Sequence, residues 1–243
     1  MTPEAWLILL IVISLSFDFL NGFHDSANVV ATMISSRAMS GKAALMLAAV
    51  ANLVGPFLFG VAVAHTVGNE VAVSEHITIT VVVAALLSAS IWNIVTWYFG
   101  IPASSSHGLI GGIIGAVIVG SGPAAIKMAG IWKIIIALLA SPVIGFTVGW
   151  LMMLLIRRVL KNASPKADSA LKYGQIPTAI ALALSHGTND AQKTMGVITM
   201  GLVVLGFQKE FVVHWWVILI SAVAIGVGTA LGGWRIIHTL GGK

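Results

Sequence analysis

Long apolar segments separated by short polar stretches dominate the chain. About 20 apolar residues cross the hydrocarbon core of a bilayer as an α-helix, and a spanning helix satisfies its own backbone hydrogen bonds. The pattern therefore predicts an all-α polytopic membrane protein with about seven hydrophobic segments. They lie at residues 5–35, 43–65, 77–99, 108–122, 131–156, 175–205 and 212–234.

The first and sixth segments are longer than one bilayer crossing requires. Each has about 30 residues, and a straight helix of that length rises roughly 45 Å against a hydrocarbon core of about 30 Å. We therefore expect each segment to tilt or to break near a glycine. Gly22 and Gly187 are the candidate positions, because both lie beside polar residues.

Composition strengthens the membrane prediction. Hydrophobic residues make up 58% of the chain and charged residues 9%, whereas roughly a quarter of a soluble domain is charged. This balance excludes a soluble globular protein, a disordered chain and a nucleic-acid-binding module. The net charge of +5 is spread over short loops, so a membrane explains it better than a nucleic-acid partner does. There is no cysteine, which excludes disulfides and thiolate ligands.

The loop charges predict an orientation. Arg37 and Lys42 flank the first connection, and the stretch 157–174 carries five further basic residues, whereas the loop with Glu70 and Glu75 has none. By the positive-inside rule the central basic loop is cytoplasmic, and the N-terminus lies outside.

The two halves of the chain resemble each other. NGFHDSAN at 21–28 is similar to HGTNDAQK at 186–193, with Gly22 and Asp25 aligned to Gly187 and Asp190, and AHTVG at 64–68 recurs as IHTLG at 237–241. The two motifs enter the membrane from opposite sides, which is typical of secondary transporters with inverted repeats, broken or re-entrant helices and a midplane site.

This comparison predicts a domain organisation. Residues 1–156 form the first transporter repeat, residues 157–174 a basic cytoplasmic linker, and residues 175–243 an incomplete second repeat. The first repeat continues well beyond AHTVG, whereas the second stops soon after IHTLG. Either the chain is truncated or its second half is naturally short, and we favour truncation because inverted repeats build one site between them.

A polar stripe runs along the first segment. Its members recur every three or four residues and fall within an arc of about 80° on a helix. An ionised carboxylate at the bilayer centre costs at least about 2.5–3.5 kcal/mol on insertion scales, so the two acids of the stripe, Asp18 and Asp25, are functional candidates. The alternative is a hydrogen-bonded seam between helices. The stripe comprises Ser14, Asp18, Asn21, Asp25, Asn28 and Thr32.

Two further motifs carry candidate chemistry. His186, Asp190 and Lys193 follow helical spacing, although Asp190 and Lys193 also fit an ordinary i, i+3 ion pair. After Pro102, three serines precede a new apolar run, which indicates a helix N-terminus able to attract an anion such as phosphate. The alternative for the serines is a simple helix cap followed by small residues that pack closely.

Taken together, the chain resembles the PiT (Pho4-type) inorganic phosphate transporters, in particular the bacterial low-affinity branch. The resemblance rests on NGFHDSANVVATMISSRAM, WNIVTWYFGIPASSSHGLIGGIIG and SHGTNDAQKTMG. It implies a secondary symporter, often homodimeric, that moves phosphate alone or as a divalent-metal complex, together with protons or sodium. The family motif GxNDxxN falls on Gly22, His24, Asp25 and Asn28, and again on Gly187, Asn189, Asp190 and Lys193.

The resemblance also implies roles for individual residues. The phosphate ligands are Ser104, Ser105 and Ser106. The coupling cation or proton is held by Asp25, Asn28, Asn189 and Asp190. Supporting residues are Asp18, Asn21, His24, Gln192 and Lys193.

The overall prediction is a multi-pass phosphate symporter of the inner (plasma) membrane. We expect the bilayer as its surroundings, H⁺ or Na⁺ as coupling ion, no cofactor, no dedicated metal, no nucleic-acid partner and no enzymatic activity. Three alternatives remain: a transporter of sulfate or another oxyanion, a fragment that does not transport, and an intramembrane hydrolase using Ser105 or Ser106. The hydrolase lacks a G-x-S-x-G elbow.

Overall fold

The computed structural model of the chain describes residues 1–69, 78–164 and 167–241, and within these ranges the protein is helical without β-strands. Two short 3-10 turns, Gly55–Phe57 and Pro123–Ala125, lie between longer helices. The α-helices are α1 (Pro3–Ser35), α2 (Gly41–Val54), α3 (Ala62–Asn69), α4 (Ile79–Phe99), α5 (Ser105–Ser121), α6 (Met128–Val159), α7 (Ala167–Val204), α8 (Trp215–Leu231) and α9 (Trp234–Gly241).

Several of these helices are suited to a membrane. In the described ranges, α1, α4 and α6 are long and apolar enough to cross it, and α8 with α9 forms a fourth candidate, bent by 63°. The helices α2 and α5 are apolar but shorter. The all-α membrane fold is therefore confirmed, whereas the number of seven segments stays a prediction. Glu70, Glu75 and Lys166, on which the orientation partly depends, lie outside the described residues.

Of the two alternatives expected for the long segments, a break at the motif glycines does not occur, because α1 and α7 continue through Gly22 and Gly187 without interruption. A Cβ atom at Gly22 would overlap the carbonyl oxygen of Ile225 in α8, and one at Gly187 would overlap the backbone of Asn52 in α2. The glycines therefore permit close helix packing and do not act as hinges. The helical structure breaks elsewhere, between α2 and α3 and at the bend from α8 to α9, where Gly232 has a φ of +67°.

The centre of the fold combines the two halves of the chain. The helices α1 and α2 each pack against both α7 and α8, and α4 packs against α1 and α5. In contrast, α6 lies at the periphery, and Gly130 is its one buried residue. The candidate functional site described below is built by residues of α1, α4, α5 and α7.

The turn between α4 and α5 places the serines. Gly100 adopts the left-handed conformation that ends α4, with a φ of +65°, and Pro102 follows in the connection. Ser104 then caps α5, because its side chain accepts a hydrogen bond from the backbone N–H of His107 at 3.4 Å. Ser105 and Ser106 consequently occupy the first turn of α5, and Ser105 is buried.

Candidate functional site

The two similar motifs meet inside the protein. His186 of α7 lies between the acids of both motifs, with its Nε2 atom 3.0 Å from Asp190 Oδ2 and 3.8 Å from Asp25 Oδ2. Both carboxylates are buried. We call Asp25, Ser105, Ser106, His186, Asp190 and Lys193, together with His24, the motif cluster.

Lys193 links the second motif to the serines. Its ammonium group donates to Asp190 Oδ1 within α7 and to Ser106 Oγ of α5 at 2.5 Å. The i, i+3 ion pair anticipated from the sequence is therefore present, but it is buried and extends to another helix. This gives the start of α5 a positive charge beside its hydroxyl groups.

Ser105 links the first motif to the same helix. Its hydroxyl lies 2.5 Å from the side-chain oxygen of Asn21 and 2.8 Å from Asp25 Oδ2. A hydroxyl has a single hydrogen, which goes to Asp25 if the Asn21 amide turns its NH₂ group toward Ser105. The Asn21 Nδ2 atom, which has no hydrogen-bond partner in its present orientation, is then also satisfied.

His24 supports Asp25 from the other side. Its Nδ1 atom lies 2.8 Å from Asp25 Oδ1, and its Nε2 atom lies 3.0 Å from the Thr96 hydroxyl of α4. The Thr96 hydroxyl also lies 2.9 Å from the backbone carbonyl of Trp92, and its single hydrogen goes either to that carbonyl or to His24 Nε2, depending on the tautomer of His24. Asp25 is thus held by groups from α1, α4 and α5.

The charges of the motif cluster suit a bound cation. Asp25 and Asp190 supply two carboxylates, and Lys193 offsets only one of them. One ligand atom from each of Asp25, His186 and Asp190 lies within 4.8 Å of the other two. A buried charge needs a partner, so the remaining negative charge favours either a protonated histidine or a cation among these three residues.

A cavity of about 470 Å³ reaches the motif cluster. His186 and Asp190 form part of its wall, as do Asn189 and Gln192 of the same helix. The exposed Asn189 side chain is therefore placed along the approach to the cluster and not among its hydrogen bonds. Gln192 is buried and accepts a hydrogen bond from the backbone N–H of Val63 at 2.8 Å, which ties α7 to the start of α3.

Other predicted site residues lie outside the motif cluster. Asn28 is exposed on α1, although its spacing places it on the same stripe as Asp25. Ser104 caps α5. Asp18 is fully buried, and neither of its carboxylate oxygens has a hydrogen-bond partner among the described residues.

Thr96 was not singled out from the sequence, although it stands within the WNIVTW stretch that carried the family resemblance. His186 was noted for its helical spacing with Asp190 and Lys193, and its contact with Asp190 agrees with that spacing. Its position beside Asp25 could not be read from the chain, because the two residues belong to different helices.

The contacts of the serines do not form the arrangement of a serine hydrolase. Such an enzyme needs a histidine beside the nucleophilic hydroxyl, with the acid behind it. Here the Ser105 hydroxyl contacts the acid Asp25 directly, and the Ser106 hydroxyl is bound by Lys193.

The fold and the motif cluster define a helical membrane protein with a buried, charged site where two related motifs face each other. Residues 21–243 match the phosphate transporter family (PHO4), and the chain belongs to this family of transporters. The resemblance found in the sequence is therefore confirmed, and the family is not one of enzymes.

Bacterial relatives are similar over most of this chain. It is 43% identical to a "Probable low-affinity inorganic phosphate transporter" of Bacillus subtilis, over 97% of this chain and 72% of the relative. The corresponding protein of Rhizobium meliloti is 44% identical, over 98% and 72%. The "Low-affinity inorganic phosphate transporter PitA" of Escherichia coli is 35% identical, over 81% of this chain and 46% of the relative.

A solved structure shares the fold. "The sodium-dependent phosphate transporter" superposes with a TM-score of 0.84 over 98% of this chain and 78% of that chain, at 19% sequence identity.

Proposed function

We propose that this protein is a secondary active symporter that moves inorganic phosphate together with a proton or a sodium ion. The observation that carries the proposal is the motif cluster, where acids from both motifs and the serines of α5 meet in a buried, charged site. The names of the relatives support phosphate as the substrate, and the name of the solved structure makes sodium one of the candidate coupling ions.

Phosphate would bind at the start of α5. Ser104, Ser105 and Ser106 offer hydroxyl groups, and the first turn of a helix offers free backbone N–H groups and a positive dipole end. The Lys193 ammonium, which contacts Ser106 as well as Asp190, would supply a further hydrogen-bond donor. The substrate would be phosphate alone or its complex with a divalent metal.

The coupling cation would bind beside the phosphate. Asp25 and Asp190 would be its main ligands, with His186 between them and with support from Asn21 and His24. A cation at this position offsets the charge of the anion, which lowers the cost of burying both in the bilayer. Asn28 and Asn189, exposed in this conformation, would join the site when the helices move.

We further propose alternating access between two inverted repeats, residues 1–156 and 175–243, joined by the linker 157–174. The equivalent glycines support this organisation, because Gly22 packs on α8 of the second half and Gly187 packs on α2 of the first. The transporter would be a homodimer of the plasma membrane, with its N-terminus outside and the central basic loop in the cytoplasm.

Phosphate uptake tests the proposal. A strain deficient in phosphate transport, complemented with the complete coding region, is expected to accumulate labelled phosphate, and Asp25→Asn and Ser105→Ala are expected to abolish most of this uptake. Asp168→Asn, on the exposed end of α7, is the matched control. Normal uptake in both site variants would overturn the site, and uptake blocked by excess sulfate would indicate a general oxyanion transporter.

A further inference from the structure

A second set of buried polar groups lies beside the motif cluster. Ser14, Asp18 and Thr194 are fully buried, and neither hydroxyl nor either Asp18 oxygen has a hydrogen-bond partner among the described residues. We call these three residues the Asp18 pocket. Buried polar atoms are nearly always paired, so four unpaired oxygens in one place indicate a ligand-binding function.

The Asp18 pocket occupies the interface of α1 and α7. Ser14 and Asp18 are one helical turn apart, so their side chains share a face of α1. Thr194 faces Asp18 from α7 and interacts with its carboxyl group, but the two groups do not meet the distance and angle of a full hydrogen bond. On α1 Asp18 lies two turns before Asp25, and on α7 Thr194 directly follows Lys193. The pocket therefore adjoins the motif cluster through both helices.

Nothing in the pocket offsets a negative charge on Asp18. Lys193 is close enough to act on Asp18 electrostatically, but its ammonium group is bound to Asp190 and Ser106. Asp190 adds a nearby negative charge, whereas His186 contacts the two cluster acids. An isolated ionised carboxylate is so costly in an apolar interior that it becomes neutral by taking up a proton.

Within the part of the chain that the structure describes, the helices around α1 offer Asp18 no other counter-charge at its level. No residue of α8 is titratable, and those of α2, α4 and α9 stand near the ends of their helices. The groups concerned are Glu4, His24 and Asp25 on α1 itself, His186, Asp190 and Lys193 on α7, Lys42 on α2, Tyr98 on α4, and Arg235 and His238 on α9.

We propose that the Asp18 pocket is a proton-binding site separate from the phosphate site, and that Asp18 carries the proton that is transported with phosphate. This inference rests on the proposed phosphate symport and adds a transported proton to the cation that the motif cluster is proposed to bind. The proton is held on an Asp18 oxygen while α1 and α7 are packed together. It leaves to water when they separate, and the carboxylate is ionised until a new proton arrives.

The position of the pocket explains how the two ligands would be coupled. Phosphate bound at Ser105 and Ser106 adds negative charge close to Asp18, which favours the neutral form of the carboxyl group. Bound phosphate and the bound proton therefore stabilise each other, and an empty phosphate site favours release of the proton. Such reciprocity is required of any two coupled sites.

Transport in proteoliposomes separates coupling from binding. We expect the wild-type protein to accumulate phosphate against its gradient when the outside is acidified. It should also exchange labelled for unlabelled phosphate without a pH gradient. Asp18→Asn, a permanent mimic of the protonated acid, is expected to keep exchange and to lose acid-driven accumulation by roughly tenfold or more. Asp168→Asn is the control, because it removes an exposed acid of the same type.

The remaining outcomes each decide the question. Normal acid-driven accumulation of phosphate by the Asp18→Asn protein would overturn the proposal. Loss of phosphate exchange in a folded Asp18→Asn protein would overturn it too, because Asp18 would then belong to the phosphate site. Failure of Asp18→Asn to fold would also overturn it, because a neutral side chain should suit a site that holds a neutral acid.

Two further measurements complete the test. Asp18→Glu keeps an ionisable group and is expected to retain acid-driven accumulation. Loss of that accumulation in a folded Asp18→Glu protein would contradict the inference, as would wild-type accumulation that follows a sodium gradient and ignores pH. A wild-type protein that neither exchanges nor accumulates phosphate would refute the proposed function itself.

Discussion

The motif cluster and the Asp18 pocket use the same helix interface in opposite ways. In the motif cluster each carboxylate contacts a histidine and a hydroxyl or an ammonium group. In the Asp18 pocket a carboxyl group of the same chemistry, two helical turns away, has no hydrogen-bond partner among the described residues. The polar stripe on α1 therefore contains two different electrostatic environments.

The difference shows two ways of keeping an acid inside a membrane. An acid with charged and polar partners remains ionised and is able to bind a cation or to order a substrate. An acid without partners is neutral and is able to store a proton. Loss of a partner is therefore expected to reduce the stability of the protein strongly in the motif cluster and only slightly in the Asp18 pocket.

The largest effect is expected from Asp190→Asn. The change leaves the Lys193 ammonium buried without its counter-charge, which costs about 3–5 kcal/mol of stability. Unfolding of the purified protein in mixed micelles by denaturant measures this loss. Asp168→Asn breaks an exposed pair with Lys172, at 2.9 Å, and should cost no more than about 1 kcal/mol. Equal losses in the two variants would show that the motif cluster is not a buried charge network.

Gly187→Ala tests the close packing that brings the two halves together. The added Cβ overlaps the backbone of Asn52, so we expect a loss of about 1–3 kcal/mol and reduced phosphate uptake. Gly145→Ala in α6 meets no atom within 4 Å and is the control, with a gain of up to about 1 kcal/mol. Thermal unfolding in detergent compares them, and a neutral Gly187→Ala would contradict the packing role.

Ser105→Ala removes the hydroxyl that joins α5 to the first motif. Asp25 loses one hydrogen bond while remaining buried, which should cost about 1–3 kcal/mol in addition to the loss of transport. Ser16→Ala is the matched change on the exposed side of α1, where the hydroxyl donates only to the backbone of Val12. If both variants transport phosphate equally well, Ser105 is not part of the site.

The smallest effect is expected from Thr194→Val in the Asp18 pocket. The substitution replaces an unpaired hydroxyl with a methyl group of similar shape, so stability should change by no more than about 0.5 kcal/mol. Thr96→Val is the contrast beside the motif cluster, because it removes the hydroxyl that contacts His24 and should cost about 1 kcal/mol of stability. A larger loss of stability from Thr194→Val than from Thr96→Val would contradict the difference between the Asp18 pocket and the motif cluster.

Individual residues show where sequence reasoning succeeded. The stripe spacing correctly placed Asp18, Asn21 and Asp25 on one buried face of α1. The serines that follow Pro102 begin α5, with Ser104 as its cap, as the helix-start pattern predicted. These predictions depend on local periodicity and local backbone chemistry, which a sequence contains.

Other residues show where it failed. Asn28 fits the same periodicity as Asp25 but is exposed, because burial at that level depends on which helices pack against α1. Gly22 and Gly187 were the candidate positions for a helix break, which was one of two alternatives, yet they serve contacts with α8 and α2. A glycine beside polar residues suits a hinge or a close contact equally well, and only the neighbouring helix decides between them.

The sequence by itself determined that this is an all-α membrane protein of the phosphate transporter family, with two related acidic motifs and a serine-initiated helix. Hydrophobic length, helical spacing and motif identity are properties of contiguous residues, so they could be read directly. The tertiary structure alone decided that His186 joins Asp25 to Asp190, that Lys193 reaches Ser106, and that Asp18 has no full hydrogen bond among the described residues. These features depend on side chains from separate helices, and the packing of those helices determines which of them meet.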